Sequence, residues 1–512
     1  MKKMKFIQLL ILFFVPGLLF ACNDNVPEVN NETPEQTGKT YLINTQEDFD
    51  KWSNFNFPAG SKVLFAAGKT FKGQFILRGN GSETAPNLAA ACDPESGAVI
   101  TEWTDQKPVI HGEGKVNSAL LLRNGGFWEI NNIEVTNTNG SKIDQGKLLG
   151  INVIAENFGV VHNVTIKNCY VHDVNGNVGG KETGGIHVYV LGKSVKTKFN
   201  NLTIENNRIF NIGGVGIANQ SSWGGITSSE YDPWTNFAIR GNRVEHTGRN
   251  GIIVRYARDA VVEYNKLVDN SRYDSGHSVF NFNTINCVMQ YNEAYGNTSD
   301  DPNEIDHGGF DADYNSKGTV IQYNYSHDNN WFCGIMRKAV NTDITIRYNI
   351  SQNERLGVFF YGFANEQGVK DVKIYNNTFY FGKGKGKQVF AGESQPRVPT
   401  ETTFSNNIFY FEDQAEWGIQ PDATCVFENN LFFNVSPKGE NTLTADPLFV
   451  DPGSGGTDID MKDPNRLSGY KLKEGSPAID GGKIMGGYAG SDFTGNPVTG
   501  QPDLGALESG AN

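Results

Sequence analysis

A β-branched or aromatic run that ends in Asn recurs through most of the chain, and this repeat constrains the fold more than any other feature. Copies at 262–265, 289–292 and 321–324 read VEYN, MQYN and IQYN. Their asparagines are 27 and then 32 residues apart. Internal copies at such intervals indicate a stacked array. The copies lack the apolar period of an amphipathic helix. We therefore expect a solenoid of short strands in which equivalent Asn side chains form a structural ladder.

These units resemble the coils of right-handed parallel β-helix proteins, the fold of pectate-lyase-like polysaccharide lyases and several glycoside hydrolases. The resemblance covers about residues 110–434 and implies an all-β, single-stranded solenoid. Many chemistries occur on one such scaffold. The resemblance is therefore specific for architecture and weak for reaction.

The two ends of the chain differ from the repeats. Residues 1–22 have a basic start, an apolar stretch and the sequence LFAC, which resembles a bacterial lipobox in which Cys22 is lipidated. Residues 23–39 are polar and are expected to be a disordered tether. Residues 40–109 are expected to form an N-terminal cap with a short helix near 49–57 and the first coils. Residues 435–512 resemble the closing segment of bacterial β-helix proteins.

Composition limits the partners of this protein. The formal net charge is −13 and the pI is near 5.2, so no global basic field is available for a nucleic acid. We expect a monomer of the bacterial cell envelope, on the outer membrane surface or its periplasmic face, with membrane contact through the lipid anchor only.

Polar side chains of unlike charge are expected to line one face of the solenoid. Aligning the strands that start with Gly, and one that starts with His277, stacks their last residues in a column. Alternation along a strand places this column on a single face. Loops 221–234 and 297–307 would flank it, with Trp223 and Trp234 as flat subsites for sugar rings. The predicted column consists of Tyr189, Gln220, Arg255, Asn281, Asp313, Lys338 and Tyr361.

One mechanism that this column allows is β-elimination on a uronic acid, which needs a cation or metal on the carboxylate and a base for the C5 proton. Arg255 and Asn281 would hold the uronate. The base would be Lys338 or His277. The acid would be Tyr361 or His187, with Gln220 and Tyr189 as further substrate contacts. Asp306, Asp311 and Asp313 would bind Ca²⁺ through hard oxygens or orient the cations.

The competing mechanism is glycoside hydrolysis by Asp311 and Asp313. Positions i and i+2 on one strand lie about 6.5 to 7 Å apart, a separation that suits inverting hydrolysis. A non-catalytic surface glycan-binding protein is a further alternative. The cations favour the lyase, and the sequence also resembles lipid-anchored bacterial glycosaminoglycan lyases of chondroitin or hyaluronan type. The sequence-based prediction is therefore a lyase that cleaves an acidic polysaccharide.

Overall fold

The computed structural model describes residues 38–142, 146–299, 306–338, 340–362, 368–392, 398–486 and 490–509. The predicted lipidation of Cys22 and nearly all of the predicted tether lie outside these ranges. Within the ranges, no helix combines the length and the apolar character needed to cross a bilayer.

Three parallel sheets, each visited once per coil, form the described part of the chain. Sheet 1 has the strands Thr40–Ile43, Lys62–Ala66, Asn87–Cys92, Trp128–Asn131, Val160–Lys167, Lys198–Glu205, Thr235–Arg240, Val261–Glu263, Val288–Gln290, Ser316–Lys317, Val320–Gln322, Asn341–Arg347, Lys370–Tyr375, Thr402–Ser405 and Val426–Glu428. Sheet 2 has the strands Thr70–Lys72, Val109–His111, Glu134–Asn137, Tyr170–Val174, Arg208–Ile212, Arg243–Thr247, Lys266–Val268, Glu293–Tyr295, Tyr325–His327, Ile350–Gln352, Thr378–Phe381, Ile408–Phe411 and Leu431–Phe433. Sheet 3 has the strands Phe75–Leu77, Ser118–Arg123, Leu149–Glu156, Gly184–Leu191, Val215–Ser221, Ile252–Arg255, Val279–Phe282, Gly308–Ala312, Trp331–Met336, Gly357–Gly362, Gln388–Gly392 and Glu416–Gly418. This architecture confirms the predicted parallel β-helix.

The Asn repeat forms the predicted ladder inside the corner between sheets 1 and 2. Asn324 Oδ1 accepts from the Asn292 side chain at 3.0 Å, and Asn324 Nδ2 donates to Asn349 Oδ1 at 3.0 Å. The residue before each ladder Asn makes the left-handed turn, as at Tyr323 with a φ of 56°. The ladder therefore saturates buried backbone groups at each turn. Its members are Asn207, Asn242, Asn265, Asn292, Asn324, Asn349, Asn377, Asn407 and Asn430.

A helix at Gln46–Trp52 covers the first coil, slightly earlier than the expected 49–57. Thr45 starts it because its hydroxyl accepts from Asp48 N while the Asp48 side chain accepts from Thr45 N, a capping box. Phe49 buries its ring against Phe71 and Phe75. The helix thus closes an end of the stack that would otherwise expose core. The other helical turns are 3₁₀ helices at Gly179–Lys181 and Ser468–Tyr470.

The C-terminal segment adds one partial coil, in which Glu440 and Leu443 pair with Glu428 and Leu431, and then packs on the outside of sheets 1 and 2. Tyr291 and Tyr323 stack at 5.1 Å between ring centroids, which matches the separation of neighbouring strands, and the segment covers part of this tyrosine row. Tyr470 lies 2% exposed beneath it, and its hydroxyl donates to Gln352 Oε1 at 2.7 Å. Sheet 3 is left as the face where loops gather.

Candidate active site

The outer face of sheet 3 carries the groups that sequence patterning singled out, but in a different register. Phe280 pairs with Asp311, and Arg255 pairs with Phe282. Asp313 follows on the same side as Asp311, because alternate residues of a strand share a face. Arg255, Asp311 and Asp313 therefore lie on one outer surface.

Asn281 and Tyr361 do not face this surface, so their predicted roles in uronate binding and acid catalysis are wrong. Asn281 pairs with Val254 and Ala312, which belong to the apolar interior, and its amide donates to Thr284 and Thr319 inside the coil. Tyr361 is fully buried against Phe390, and burial raises the pKa of its hydroxyl well above the usual value. Neither side chain can contact a substrate that binds on the outer face of sheet 3.

The cause is an error of register in the sequence alignment. Gly251 is aligned in space with Ser278, one residue after His277, and Gly309 is aligned with Phe332, two residues before Gly334. Asn281 and Tyr361 each lie one residue from the column of Arg255, which runs through Phe282 and Gly362. A shift of one residue moves a side chain to the opposite face of a strand. Lys338, shifted by two positions, lies beyond the strand end, where its Nζ is 4.6 Å from the centre of the Tyr314 ring.

Trp223 and Trp234 pack the flanking loop onto the solenoid, so the predicted sugar subsites are corrected. Trp234 is fully buried, with its ring centroid 4.7 Å from that of Phe199. Trp223 is 9% exposed, belongs to the core cluster and lies under Lys193. Burying these indoles anchors the loop instead of offering flat faces to sugars.

His277, Asp306 and Asp311 form a compact buried cluster at the centre of sheet 3. His277 Nε2 contacts Asp306 Oδ1 directly and lies 3.7 Å from Asp311 Oδ2. Its Nδ1 accepts from Gly308 N at 2.9 Å, which places the ring proton on Nε2. The Asp306 side chain is 24% exposed and that of Asp311 only 5%. Asp306 is therefore accessible from the outer face of sheet 3, whereas Asp311 lies beneath it.

The carboxyl groups of the cluster differ in protonation. Burial opposes ionisation of Asp306, but the neighbouring His277 outweighs it and lowers the pKa of this carboxyl to about 2. Burial raises the pKa of Asp313 to about 6 and that of Asp311 well above its usual value. His277 is itself drawn upward by Asp306 and Asp311, to a pKa of about 9 against the opposing effect of burial. The hydrogen bond from Gly308 N–H to Nδ1 opposes this rise in pKa, because an imidazolium would carry a second proton at Nδ1.

Lys181 is a functional candidate that sequence reasoning missed. It comes from the loop before the strand Gly184–Leu191, and its Nζ lies 4.6 Å from the centre of the Phe280 ring. Burial lowers the pKa of Lys181 to about 8, while Asp313 and Asp306 partly restore its charge. Arg255 also contacts this ring, with its Cζ 5.9 Å from the centre of the Phe280 ring. Two cations and an aromatic ring therefore border the carboxyl groups. The only sequence signal was a Lys in a loop that precedes a strand of sheet 3.

Other predicted residues are placed away from the carboxyl groups. His187 lies in the column of Asp311 but four strands away, about 19 Å at the usual strand separation. Its ring is buried, which lowers its pKa to about 3, and its Nδ1 contacts the Tyr189 hydroxyl at 3.0 Å. Gln220 stands between Tyr189 and Arg255. His187 is thus too distant to be an acid for chemistry at Asp313.

The three carboxylates do not form a recognisable metal centre. Within the described ranges, no group of three or more His, Cys, Asp or Glu side chains is arranged to hold a metal ion. His277 occupies the space between Asp306 and Asp311, where a cation would need oxygen ligands. The predicted Ca²⁺ remains a prediction.

The fold and the site together define a parallel β-helix with a cluster of carboxyl groups on its third sheet. No family model matches the chain. The lacto-N-biosidase of Bifidobacterium longum subsp. longum is 29% identical over 562 aligned positions, which cover 88% of this chain and 34% of that protein. The chain thus spans about a third of the length of this curated relative.

Solved structures agree on the fold. The native GH136 lacto-N-biosidase from Eubacterium ramulus matches with a TM-score of 0.55 and 21% identity, covering 71% of this chain and 67% of that chain. XylC in complex with xylose matches with a TM-score of 0.52 and 11% identity, covering 93% and 99%. At these identities the likeness concerns architecture.

These comparisons overturn the predicted reaction. The curated relative is a glycoside hydrolase, so the prediction of a polysaccharide lyase acting by β-elimination on a glycosaminoglycan is wrong. They favour the hydrolase that the sequence offered as the alternative. Of the cations that favoured the lyase, Arg255 lies 5.9 Å from the centre of the Phe280 ring and Lys338 lies 4.6 Å from that of Tyr314.

Proposed function

We propose that this protein is a glycoside hydrolase and that Asp306 and Asp313 are its catalytic carboxyl groups. The observation that carries the proposal is the similarity to a lacto-N-biosidase over 88% of this chain. The pair is chosen because the two carboxyl groups have pKa values displaced in opposite directions, about 2 for Asp306 and about 6 for Asp313. Hydrolysis of a glycosidic bond needs one ionised and one protonated carboxyl. The pair differs from the predicted Asp311 and Asp313 because the Asp311 side chain is only 5% exposed.

In this mechanism each carboxyl has a separate task. Asp313 donates its proton to the glycosidic oxygen as the bond to the anomeric carbon breaks. Asp306 remains ionised and either attacks that carbon or removes a proton from the attacking water. His277 holds Asp306 in place through Nε2–H, and Gly308 fixes the imidazole from the other side. Phe282 and Tyr314, which are partly buried with ring centroids 5.0 Å apart, offer apolar faces to a sugar ring.

The substrate class follows from the curated relative. We propose an oligosaccharide with a lacto-N-biosyl group, since the relative is named for action on that group.

The test is hydrolysis of p-nitrophenyl β-lacto-N-bioside. The wild-type protein should release p-nitrophenol, and Asp306→Asn and Asp313→Asn should each lower kcat/KM by about 10²- to 10⁴-fold. Asp343→Asn is the matched control, because Asp343 is exposed and has a positive φ that Asn tolerates. Full activity in Asp306→Asn or Asp313→Asn would refute the site. An inactive wild type would refute the substrate.

Attachment to the cell envelope remains a proposal that rests on the LFAC sequence at 19–22. Cys22→Ser should abolish incorporation of labelled palmitate in a bacterial host and shift the protein from the membrane fraction to the soluble fraction. Unchanged labelling would contradict lipidation at Cys22.

A further inference from the structure

A cavity lies at the corner where the chain passes from sheet 2 to sheet 3. Its volume is about 350 Å³, within the range of small-molecule sites. The lining is polar apart from a single aromatic ring. It includes Ser141, Lys142, Asp173, Asn175, Asn211 and Tyr273.

Asn175 gives this cavity an unsatisfied hydrogen-bonding group. The side chain is 6% exposed, and its Nδ2 donates to Asn139 Oδ1 at 2.8 Å and to Ser141 O at 2.7 Å. Among the described residues its Oδ1 has no hydrogen-bond partner. A buried acceptor left unpaired is unfavourable, and a ligand hydroxyl would supply the missing donor.

The cavity also has a fixed aromatic wall. Tyr273 N donates to Gly248 O at 3.1 Å, and a Cβ on Gly248 would come within 2.7 Å of the Tyr273 ring. Lys142 Nζ lies 4.9 Å from the ring centre. Opposite, Asp173 is oriented by His172 and accepts from the Asn211 amide. An aromatic ring surrounded by oriented amide and carboxylate groups suits a sugar, which has apolar C–H faces and hydroxyl edges.

Two loops join this cavity to the catalytic cluster. One contains Asn175 and continues to Lys181 beside Asp306 and Asp313. The other contains Tyr273 and ends at His277. Four residues of extended chain reach at most about 14 Å. The Tyr273 backbone therefore lies within the length of a short oligosaccharide from the reacting carboxyl groups.

We infer that this cavity is a carbohydrate subsite, which binds a sugar unit of the same oligosaccharide at a distance from the bond that is cleaved. The inference rests on the proposed glycoside hydrolase function. Asn175 accepts from a sugar hydroxyl, and the Tyr273 ring packs against the sugar face. The subsite makes longer substrates better ones without taking part in the bond cleavage.

The experiment compares lacto-N-biosides lengthened by one sugar at a time on either side of the scissile bond. In the wild type, kcat/KM should rise at one added sugar. Tyr273→Ala should remove about a 5- to 10-fold gain at that sugar only, equivalent to about 1 to 1.4 kcal/mol. Tyr273→Phe should keep the gain, because the ring stays. Trp103→Ala is the control, since Trp103 is an exposed aromatic outside the cavity.

Asn175→Ala adds a second variant whose folding is checked by thermal unfolding. Saturation-transfer NMR with the same sugars measures binding without turnover. Equal loss of kcat/KM on all lengths, or an unchanged gain in Tyr273→Ala, would overturn the subsite. Binding that depends on Tyr273 in a protein without hydrolysis would leave the subsite standing and reject the proposed hydrolase.

Discussion

At the scale of single residues, the site depends on how one proton is held between His277 and the carboxyl groups around it. The Gly308 N–H fixes the ring by donating to Nδ1, and Nε2 contacts Asp306 Oδ1. Asp306 therefore stays ionised, while burial lets Asp313 keep its proton up to a pH of about 6. Environment thus gives two chemically identical side chains different roles.

The pH dependence of hydrolysis follows from these two groups. Asp313 must be protonated, so kcat/KM should fall as pH rises through about 6. Asp306 must be ionised, so kcat/KM should be lost in acid only as pH falls towards about 2. A pH–rate profile on p-nitrophenyl β-lacto-N-bioside measures both limbs. Activity that instead rises from about pH 5 to about pH 8 would contradict the assignment of Asp313 as the acid.

Gly334 provides the space in which the His277 ring lies. A Cβ at this position would come within 2.6 Å of His277 Nε2 and 2.8 Å of Cε1. Gly334→Ala should displace the imidazole and lower kcat by about 10-fold or more, because small misplacements are costly in catalysis. Steady-state kinetics test this result. Gly486→Ala is the matched control, as its added Cβ would meet nothing within 4 Å. An active Gly334→Ala would show that the His277 position is not needed.

At the scale of the strand and its turn, the Asn ladder could be predicted but the register could not. The ladder follows from a residue type repeated at regular intervals. Register depends on which position in each coil occupies the corner of sheet 3. Gly309 occupies that corner in one coil, but Phe332 and Val358 occupy it in the next two coils. The alignment therefore followed the wrong glycines, and it misplaced Asn281 and Tyr361.

Cutting the ladder should destabilise the solenoid. Asn324→Ala removes the acceptor of Asn292 N and Nδ2 and leaves buried groups unpaired. We expect a loss of about 2 to 4 kcal/mol in the free energy of unfolding. Chemical denaturation measures it. Asn465→Ala is the control, since Asn465 is exposed and should change stability by less than about 0.5 kcal/mol. Equal effects in the two variants would contradict a structural role for the ladder.

At the scale of the whole molecule, the solenoid separates support from chemistry. The C-terminal segment covers the outside of sheets 1 and 2. The loops that enter sheet 3 contain Lys181 and Asp306 and line the cavity at the corner between sheets 2 and 3. The repeats predicted the scaffold because they are copies of one another. The site was less predictable, because it is built where coils stop being copies and where loop lengths decide which side chains meet.

Docking of the C-terminal segment should depend on Tyr470. Tyr470→Ala removes a side chain that is 2% exposed and packs against Phe449 and Tyr380, at an expected cost of about 3 to 5 kcal/mol. Tyr470→Phe should cost only about 1 kcal/mol for the lost bond to Gln352. Hydrogen exchange should show faster exchange at 449–507 than in the ladder coils. Uniform loss of protection would contradict a separately docked segment.

The most direct test of the central claim is isotope incorporation from water. With p-nitrophenyl β-lacto-N-bioside in H₂¹⁸O, the wild-type protein should yield a sugar that carries one ¹⁸O at its anomeric carbon, detected by mass spectrometry. Hydrolysis requires this atom to come from water. A cleaved sugar without ¹⁸O, or an unsaturated sugar, would contradict hydrolysis by Asp306 and Asp313.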